Sequence, residues 1–129
     1  MPRDRLVLVV DHDDEVRAVV VEYLRANGFA VMEASNGLEA LLRVKRLRPG
    51  AVVIDLAVPR INGEEALKHI VKFDSTIRVV LMSGQVEALA AQELLARGAW
   101  AVFPKPLNLE DLGMALTRSD GNATTPSAP

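Results

Sequence analysis

The chain of 129 residues contains no cysteine, which excludes disulfide bonds, zinc–thiolate sites and thiol catalysis. Aromatic residues make up only 4% of a sequence that is half hydrophobic, so we expect a core of Val, Leu, Ile and Ala. The 15 basic and 17 acidic residues nearly balance, and the net charge of -2 gives no overall attraction to nucleic acid or to an anionic membrane. We therefore expect no direct binding to nucleic acid.

Long hydrophobic runs are also missing. The first apolar run, residues 6–10, ends at Asp11 and is too short for a signal peptide or a membrane span. We expect a cytoplasmic protein with no membrane association. Residues 119–129 are small or polar with no apolar period, which predicts a disordered tail, or the start of a linker, after one domain over residues 1–118.

Five short apolar runs recur along the chain and are continuous rather than alternating. Such runs are typical of strands covered on both faces, as in a parallel sheet; they are residues 6–10, 29–32, 51–54, 77–82 and 100–103. The stretches between them are amphipathic, and the first two place large apolar residues at helical spacing. The predicted apolar stripes are Val16, Val19, Val20 and Leu24 in the first stretch, and Leu38, Leu41, Leu42 and Leu47 in the second.

Helix stop signals follow several of the amphipathic stretches, at Asn27-Gly28, Arg48-Pro49-Gly50 and Arg97-Gly98. The order is therefore a strand and a helix, repeated five times. Parallel strands need right-handed crossovers, so this alternation predicts an α/β fold with an open, doubly wound parallel sheet and helices on both faces. Such sheets bind ligands at the carboxyl ends of their strands.

Chemically active residues follow four of the predicted strands: Asp11-His12-Asp13-Asp14, Asp55, Ser83-Gly84 and Pro104-Lys105-Pro106. Each alone has a plainer interpretation as a helix N-cap or a loop residue, but together they converge on one edge of the sheet. A carboxylate can attack phosphorus and form an aspartyl phosphate. Neighbouring carboxylates can hold Mg²⁺, and the lysine and serine can contact phosphoryl oxygens.

The chain resembles the receiver domain of two-component response regulators, which has the CheY-like fold. The likeness covers roughly residues 5–117 and depends on an ordered set of motifs rather than on any one of them. These motifs are Leu6-Val7-Leu8-Val9-Val10-Asp11, Asn36-Gly37-Leu38-Glu39-Ala40-Leu41, Val53-Ile54-Asp55-Leu56-Ala57-Val58-Pro59 with Asn62-Gly63, Val80-Leu81-Met82-Ser83-Gly84, and Gly98-Ala99 leading to Lys105-Pro106.

The resemblance implies strand order 2-1-3-4-5 with five helices, and a role for each matching position. Asp55 corresponds to the phosphoacceptor, Lys105 to the phosphoryl contact and Ser83 to the switch hydroxyl. Asp11, Asp55 and the backbone carbonyl of Ala57 correspond to Mg²⁺ ligands. The family implies a regulatory protein rather than an enzyme, with a histidine kinase or histidine phosphotransfer protein as the phosphodonor. A downstream protein or a fused output domain would receive the signal, and the chain would be a monomer or a weak homodimer.

One departure from the family pattern lies in the metal site. His12 occupies the position of a second metal-holding carboxylate, and imidazole is a poor ligand for Mg²⁺ and a better one for transition metals. Mg²⁺ binding would then be weakened, Mn²⁺ would replace it, or Asp13 or a water would supply the missing ligand. Alternatively, His12 points aside at the start of a helix.

A second departure lies on the fifth predicted strand, where Val102 occupies the position of the family's switch aromatic. Alternation predicts Trp100 and Val102 on one face of that strand, and Ala101 and Phe103 on the other. Trp100 is then either an anchor for a partner or a cover over a helix edge. The Lys105-Pro106 bond is predicted to be cis, as is common in this family.

Two other functions fit parts of the sequence. In a haloacid-dehalogenase-like phosphatase, Asp11 would be the nucleophile and Asp13 the general acid, but Asp55 would have no role and the late acidic pair is missing. In a pseudo-receiver, the fold would serve as a docking or dimerisation module without phosphorylation.

A basic cluster lies in the second amphipathic stretch and is typical of a solvated helix face rather than a nucleic-acid site. It consists of Arg43, Lys45, Arg46 and Arg48.

Overall fold

The computed structural model describes residues 5–84 and 88–118. Its elements alternate along the chain as β1 (Leu6–Val10), α1 (Asp14–Ala26), β2 (Ala30–Ala34), α2 (Gly37–Leu47), β3 (Ala51–Asp55), α3 (Gly63–Phe73), β4 (Arg78–Ser83), α4 (Ala88–Ala96), β5 (Ala101–Pro104) and α5 (Leu109–Thr117). The strands form one sheet in the order β2-β1-β3-β4-β5, and every neighbouring pair is parallel. The predicted fold class is confirmed. The predicted tail, residues 119–129, lies outside the described residues.

The sheet is buried on both faces, as the continuous apolar runs predict. Alternate residues of one strand enter two separate core clusters: Leu8 and Val10 pack in one, Val7 and Val9 in the other. Three strands, β2, β4 and β5, begin one residue later than predicted. In β2 and β4 the first residue of the run is used in a turn instead. The Phe29 N–H donates to the Leu24 carbonyl at the end of α1, and the Ile77 N–H donates to the Asp74 carbonyl.

Side-chain caps and left-handed turns define the helix ends. Four helices begin after a residue whose carboxylate or amide oxygen accepts backbone N–H groups of the first turn: Asp13, Asn36, Asn62 and Asn108. The predicted stop signals are confirmed: α1 ends at Ala26, just before Asn27, and Arg48 ends α2 in the left-handed conformation. Gly98, after α4, has a φ of 111°, which only glycine adopts without strain.

The predicted apolar stripes of the first two helices are partly wrong. In α1 the buried residues are Val20, Val21 and Leu24, whereas Val19 is 55% exposed. The error is larger in α2, where none of the four predicted leucines is fully buried. There the helix packs through its small residues, and its buried residues are Gly37, Ala40 and Val44.

A close backbone contact explains how α2 is rotated. The Gly37 N–H donates to the Pro59 carbonyl, and a β-carbon at Gly37 would lie 1.6 Å from the Ile61 carbonyl oxygen. The first turn of α2 is therefore held against the loop between β3 and α3. This contact turns the small residues inward and leaves Leu42, at 63% exposure, on the outside.

Candidate functional site

Three of the predicted site residues lie at the edge of the sheet where the strands end, here called the carboxyl edge. Asp11 directly follows β1 and its N–H continues the ladder to β2 by donating to the Ala34 carbonyl at 3.2 Å. Asp55 is the last residue of β3. Lys105 directly follows β5, and its N–H donates to the Ser83 carbonyl at 2.9 Å. The parallel topology thus brings together residues that are far apart in sequence.

The side chains of these three residues form a compact ion triad. The Lys105 Nζ lies 2.6 Å from the Asp55 Oδ2 and 3.1 Å from the Asp11 Oδ2. Asp11 is only 1% exposed, and among the described residues it is the one charged residue that is fully buried. A buried carboxylate needs a paired charge and hydrogen bonds, and the triad supplies both.

The triad also shifts the protonation of its lysine. Partial burial lowers the pKa of Lys105, but hydrogen bonds and charge attraction from Asp55 and Asp11 outweigh burial, so the pKa is raised above its ordinary value. Lys105 is therefore a permanent cation over the physiological pH range. Such a cation can move from a carboxylate to a phosphoryl oxygen without a change in its charge.

The second oxygen of each carboxylate is held by the backbone two residues further on. The Asp11 Oδ1 accepts from the Asp13 N–H at 2.9 Å, and the Asp55 Oδ1 accepts from the Ala57 N–H at 3.0 Å. Both are Asx turns, in which a short carboxylate closes a loop on its own backbone. They fix the orientation of the two carboxylates toward Lys105.

Close packing also supports the loop after β3. A β-carbon at Gly63 would lie 2.7 Å from the Leu56 Cα and 2.9 Å from the Asp55 carbonyl oxygen. The Gly63 N–H donates to the Leu56 carbonyl at 3.0 Å. The start of α3 is thus pressed against the backbone that carries Asp55, which leaves little freedom for that residue.

Arg17, on the first turns of α1, is a site residue that sequence reasoning missed. Its guanidinium donates to the Asp11 carbonyl at 2.8 Å, to the Glu33 carboxylate at 3.0 Å and to the Asp14 carboxylate at 2.8 Å. The hydrogen bond that Arg17 donates to Glu33 is the largest of the effects that raise the pKa of Arg17. Arg17 therefore joins the end of β1 to α1 and β2. The position of Arg17 one turn into α1, together with the expected pairing of β2 with β1, was a signal, but the direction of its side chain toward Glu33 was not.

His12 and Asp13 are the two residues predicted for the remaining metal-ligand position, and in the structure they have different environments. The His12 side chain is exposed. The Asp13 Oδ1 accepts from the N–H groups of Glu15 and Val16, which makes Asp13 the N-cap of α1. Within residues 5–84 and 88–118, no group of three His, Asp or Glu side chains is arranged to hold a metal ion.

The remaining donors fit Mg²⁺ in chemical type. The Asp11 and Asp55 carboxylates both contact Lys105. Ala57, whose carbonyl is the third expected ligand, binds the Asp55 carboxylate through its own N–H. Mg²⁺ prefers oxygen ligands and usually retains several waters, so one or two carboxylates are enough to bind it. The charge of the triad is only -1, because Lys105 offsets one of its two carboxylates and His12 adds none.

Ser83 ends β4 and is partly buried. It lines a cavity of about 200 Å³ together with Leu56, on the site loop, and Ala90 and Leu94, on α4. Its carbonyl accepts from the Lys105 N–H, so the ends of β4 and β5 are joined directly beside the triad. The serine thus lies between the triad and α4.

Val102 and Trp100 do not share a face, which corrects the prediction from alternation. Val102 is 1% exposed and packs in the core cluster that includes α4 residues. Trp100 packs on the opposite cluster, and its Nε1–H donates to the Ala115 carbonyl of α5 at 2.7 Å. The physical reason is that β5 begins at Ala101, so Trp100 lies outside the pleat that sets alternation. Its contact with α5 matches the interpretation of Trp100 as a cover over a helix edge.

The Lys105-Pro106 peptide bond is cis, as predicted. Among the described residues, no helix combines the length and the apolar character needed to cross a bilayer.

Comparison with known proteins identifies the class that this fold and site define. Residues 7–117 match the model of the response regulator receiver domain, and the chain belongs to that family. The match with the sporulation initiation phosphotransferase F of Bacillus subtilis is 32% identical over 112 residues and covers 87% of this chain and 90% of that protein. The match with the regulatory protein AtoC of Escherichia coli is 31% identical and covers 88% of this chain but only 24% of that protein.

A solved structure with the same fold is the CheX–CheY–BeF3–Mg²⁺ complex from Borrelia burgdorferi. It superimposes with a TM-score of 0.81, covers 86% of this chain and 85% of that one, and is 24% identical in sequence. The resemblance inferred from the sequence motifs is thereby confirmed at the level of family and fold. Receiver domains of this family are regulatory components of two-component systems.

Proposed function

We propose that this receiver domain accepts a phosphoryl group on Asp55 from a histidine kinase or a histidine phosphotransfer protein. The observation that carries the proposal is the triad, in which Lys105 bridges the Asp55 and Asp11 carboxylates at 2.6 and 3.1 Å. Phosphoryl transfer requires an aligned nucleophile and compensating positive charge. The triad supplies both at the carboxyl edge, where open α/β sheets bind their ligands.

In the proposed reaction, a carboxylate oxygen of Asp55 attacks the phosphorus of phosphohistidine. A P–O bond forms, the P–N bond breaks, and the imidazole of the donor is the leaving group, so the product is an aspartyl phosphate. In the structure, the Lys105 ammonium group binds the Asp55 carboxylate. After the transfer, the same ammonium group binds a phosphoryl oxygen. The Ser83 hydroxyl binds another phosphoryl oxygen from the end of β4.

Asp11, Asp55 and the Ala57 carbonyl would hold Mg²⁺, which offsets negative charge on the phosphoryl oxygens. Asp11 contributes a preformed ligand, because its position is fixed by the Asp13 N–H and by the Arg17 contact to its own carbonyl. His12 supplies no carboxylate, and Asp13 uses an oxygen to cap α1. We therefore expect Mg²⁺ to bind more weakly than it would with an acidic residue at position 12.

The signal would leave the site through the α4-β5-α5 face. Phosphorylation draws Ser83 and Lys105 toward the new oxygens, and these two residues are already joined by a backbone hydrogen bond. Val102 is buried beside α4 and Trp100 is hydrogen-bonded to α5, so a shift of β5 reaches both helices. A downstream protein or a fused output domain would bind the altered face.

The capping role of Asp13 disfavours the phosphatase alternative. A general acid must reach the leaving group, whereas the Asp13 carboxylate is hydrogen-bonded to the first turn of α1.

The pseudo-receiver alternative leaves the triad without a role, although a buried ion group of this kind is costly to maintain. Both alternatives predict that Asp55 is not labelled by a phosphodonor.

Incubation with acetyl phosphate and Mg²⁺, followed by intact-mass spectrometry, tests the proposal. We expect a single phosphoryl adduct in the wild type and none in Asp55→Asn. Asp111→Asn, which removes a carboxylate from α5, serves as the matched control and should be labelled like the wild type. Catalytic turnover of a generic phosphate ester without a stable adduct, dependent on Asp11 rather than Asp55, would instead support the phosphatase.

A further inference from the structure

One of the α2 leucines predicted to face the core, Leu41, lines a surface groove, and two others are exposed on the same helix. Leu38 and Leu42 are 37% and 63% exposed. A groove of about 280 Å³ runs between α2 and α3. Leu41 and Val44 from α2 and Ile70 and Phe73 from α3 line its apolar part.

The groove lies away from the proposed phosphorylation site. In a parallel α/β fold each helix begins at the carboxyl edge and ends at the opposite edge. Apart from Leu41, near the middle of α2, the lining residues belong to the second halves of α2 and α3. The groove is also distinct from the α4-β5-α5 face, because neither α4 nor α5 contributes to it.

Positive charge surrounds the apolar part of the groove. Lys45 on α2 and Lys72 on α3 line it, together with His69, and no acidic residue does. Within the part of the chain that the structure describes, neither lysine has a carboxylate at ion-pair distance. By contrast, the Arg43 and Arg48 guanidiniums on the same helix and its cap each lie 3.7 Å from a carboxylate.

From this juxtaposition of an apolar groove and two lysines without a carboxylate partner, we infer that the α2–α3 groove is a docking site for an acidic amphipathic helix of a partner protein. Such a helix inserts its apolar side chains between two helices and places its flanking charges at the rim. Glutamates on the partner would complete the charge pairs of Lys45 and Lys72. The chemistry disfavours a basic or uncharged partner, which would leave both lysines unpaired.

The probes for this site are two synthetic helical peptides with the same pattern of leucine and alanine. One carries glutamate at every charged position and the other carries lysine. Each is titrated into the ¹⁵N-labelled chain and followed by NMR. We expect the glutamate peptide to perturb residues of the second halves of α2 and α3, and the lysine peptide to have no effect there.

Reversing the charge of the groove lysines tests whether they contribute to binding of the glutamate peptide. Lys45→Glu combined with Lys72→Glu should weaken binding of the glutamate peptide by at least about tenfold, because two attractive contacts become repulsive. Lys68→Glu is the matched control, since Lys68 is an exposed lysine of α3 that does not line the groove. It should bind like the wild type. Circular dichroism of each variant establishes that its fold is retained.

Three results would overturn the inference. The first is no perturbation of α2 and α3 at millimolar glutamate peptide. The second is equal binding of the glutamate and lysine peptides at the groove. The third is a concentration-dependent dimer in sedimentation velocity that Phe73→Glu abolishes, because Phe73 lines the groove and a second copy of the chain would then occupy it. None of these results depends on whether Asp55 is phosphorylated.

Discussion

At the scale of single residues, the Lys105 ammonium group holds two carboxylates together, and its ionisation is linked to stability. Its pKa is raised because its hydrogen bonds to Asp55 and Asp11 outweigh partial burial. A pKa that is higher in the folded state than in the unfolded state means that folding favours the protonated lysine. The resulting stabilisation is complete below the unfolded pKa and is lost as the pH rises through the folded pKa.

The first prediction therefore concerns Lys105→Met. We expect the free energy of unfolding of the wild type to decrease more steeply than that of the variant above about pH 10, the ordinary pKa of lysine. Urea unfolding at a series of alkaline pH values measures the difference. An identical pH dependence of the two proteins would show that the triad makes no such contribution.

The second prediction concerns His12→Asp. A third carboxylate at the site increases the negative charge available to a cation, and ligand charge is a main determinant of the affinity of such sites. We expect Mg²⁺ to bind at least about tenfold more tightly by isothermal titration calorimetry. His69→Asp, a change on the exposed side of α3, is the matched control and should leave the affinity unchanged. Equal affinity of His12→Asp and the wild type would refute the idea that His12 weakens the metal site.

The third prediction concerns Arg17, a positioning residue that contacts the backbone of Asp11 rather than the reacting atoms. Arg17→Ala leaves the Asp11 carbonyl and the Glu33 carboxylate without their donor, which costs about 1–3 kcal/mol of stability. The rate of labelling by acetyl phosphate should also fall, with a weaker response to Mg²⁺. Arg46→Ala, on the exposed side of α2, should change neither property. If Arg17→Ala lowered stability but left the Mg²⁺ dependence of labelling intact, its role would be structural only.

The residue types at the strand ends were sufficient to predict the triad, because parallel topology brings successive strand ends to one edge. Asp11, Asp55 and Lys105 follow directly from that rule. The Arg17 contacts did not, because they depend on the direction of a side chain on α1, which no local pattern encodes even when β2 is expected next to β1. The cap role of Asp13 was also ambiguous, since the same residue type serves as a ligand and as an N-cap.

At the scale of elements, the strand positions were predicted within two residues, whereas the buried faces of two helices were not. Continuous aliphatic runs have one physical explanation, burial on both faces of the sheet. The stripe of α2 failed because large apolar residues were expected inside, whereas the close contact of Gly37 with Ile61 turns small residues inward. The face of Trp100 failed because alternation was applied one residue before β5 begins.

The fourth prediction tests the contact that orients α2. A β-carbon at Gly37 would overlap the Ile61 carbonyl oxygen, so Gly37→Ala should destabilise the fold by about 2–4 kcal/mol, the range of overpacking and backbone strain. A β-carbon at Gly84 would meet nothing within 4 Å, so Gly84→Ala is the matched control and should be nearly neutral. Chemical denaturation of both variants gives the comparison. A loss of stability at Gly37 no larger than at Gly84 would contradict the proposed packing.

At the scale of the whole molecule, one sheet separates surfaces with different proposed tasks. The carboxyl edge carries the triad, the α4-β5-α5 face is the proposed output surface, and the α2–α3 groove lies on neither. The second core cluster, on the side of α1 and α5, includes Trp100 and keeps β5 attached to α5. Under the proposed function, a change at Asp55 would reach the α4-β5-α5 face through β4 and β5.

The central claim is that Asp55 is the phosphoacceptor, and the most direct measurement is site-specific mass spectrometry after incubation with acetyl phosphate and Mg²⁺. The account predicts one phosphoryl group per chain, located on the peptide that contains Asp55, lost in Asp55→Asn and strongly reduced in Lys105→Ala. A phosphoryl group located on Asp11 or Asp13, or no adduct on a folded wild-type chain, would contradict it.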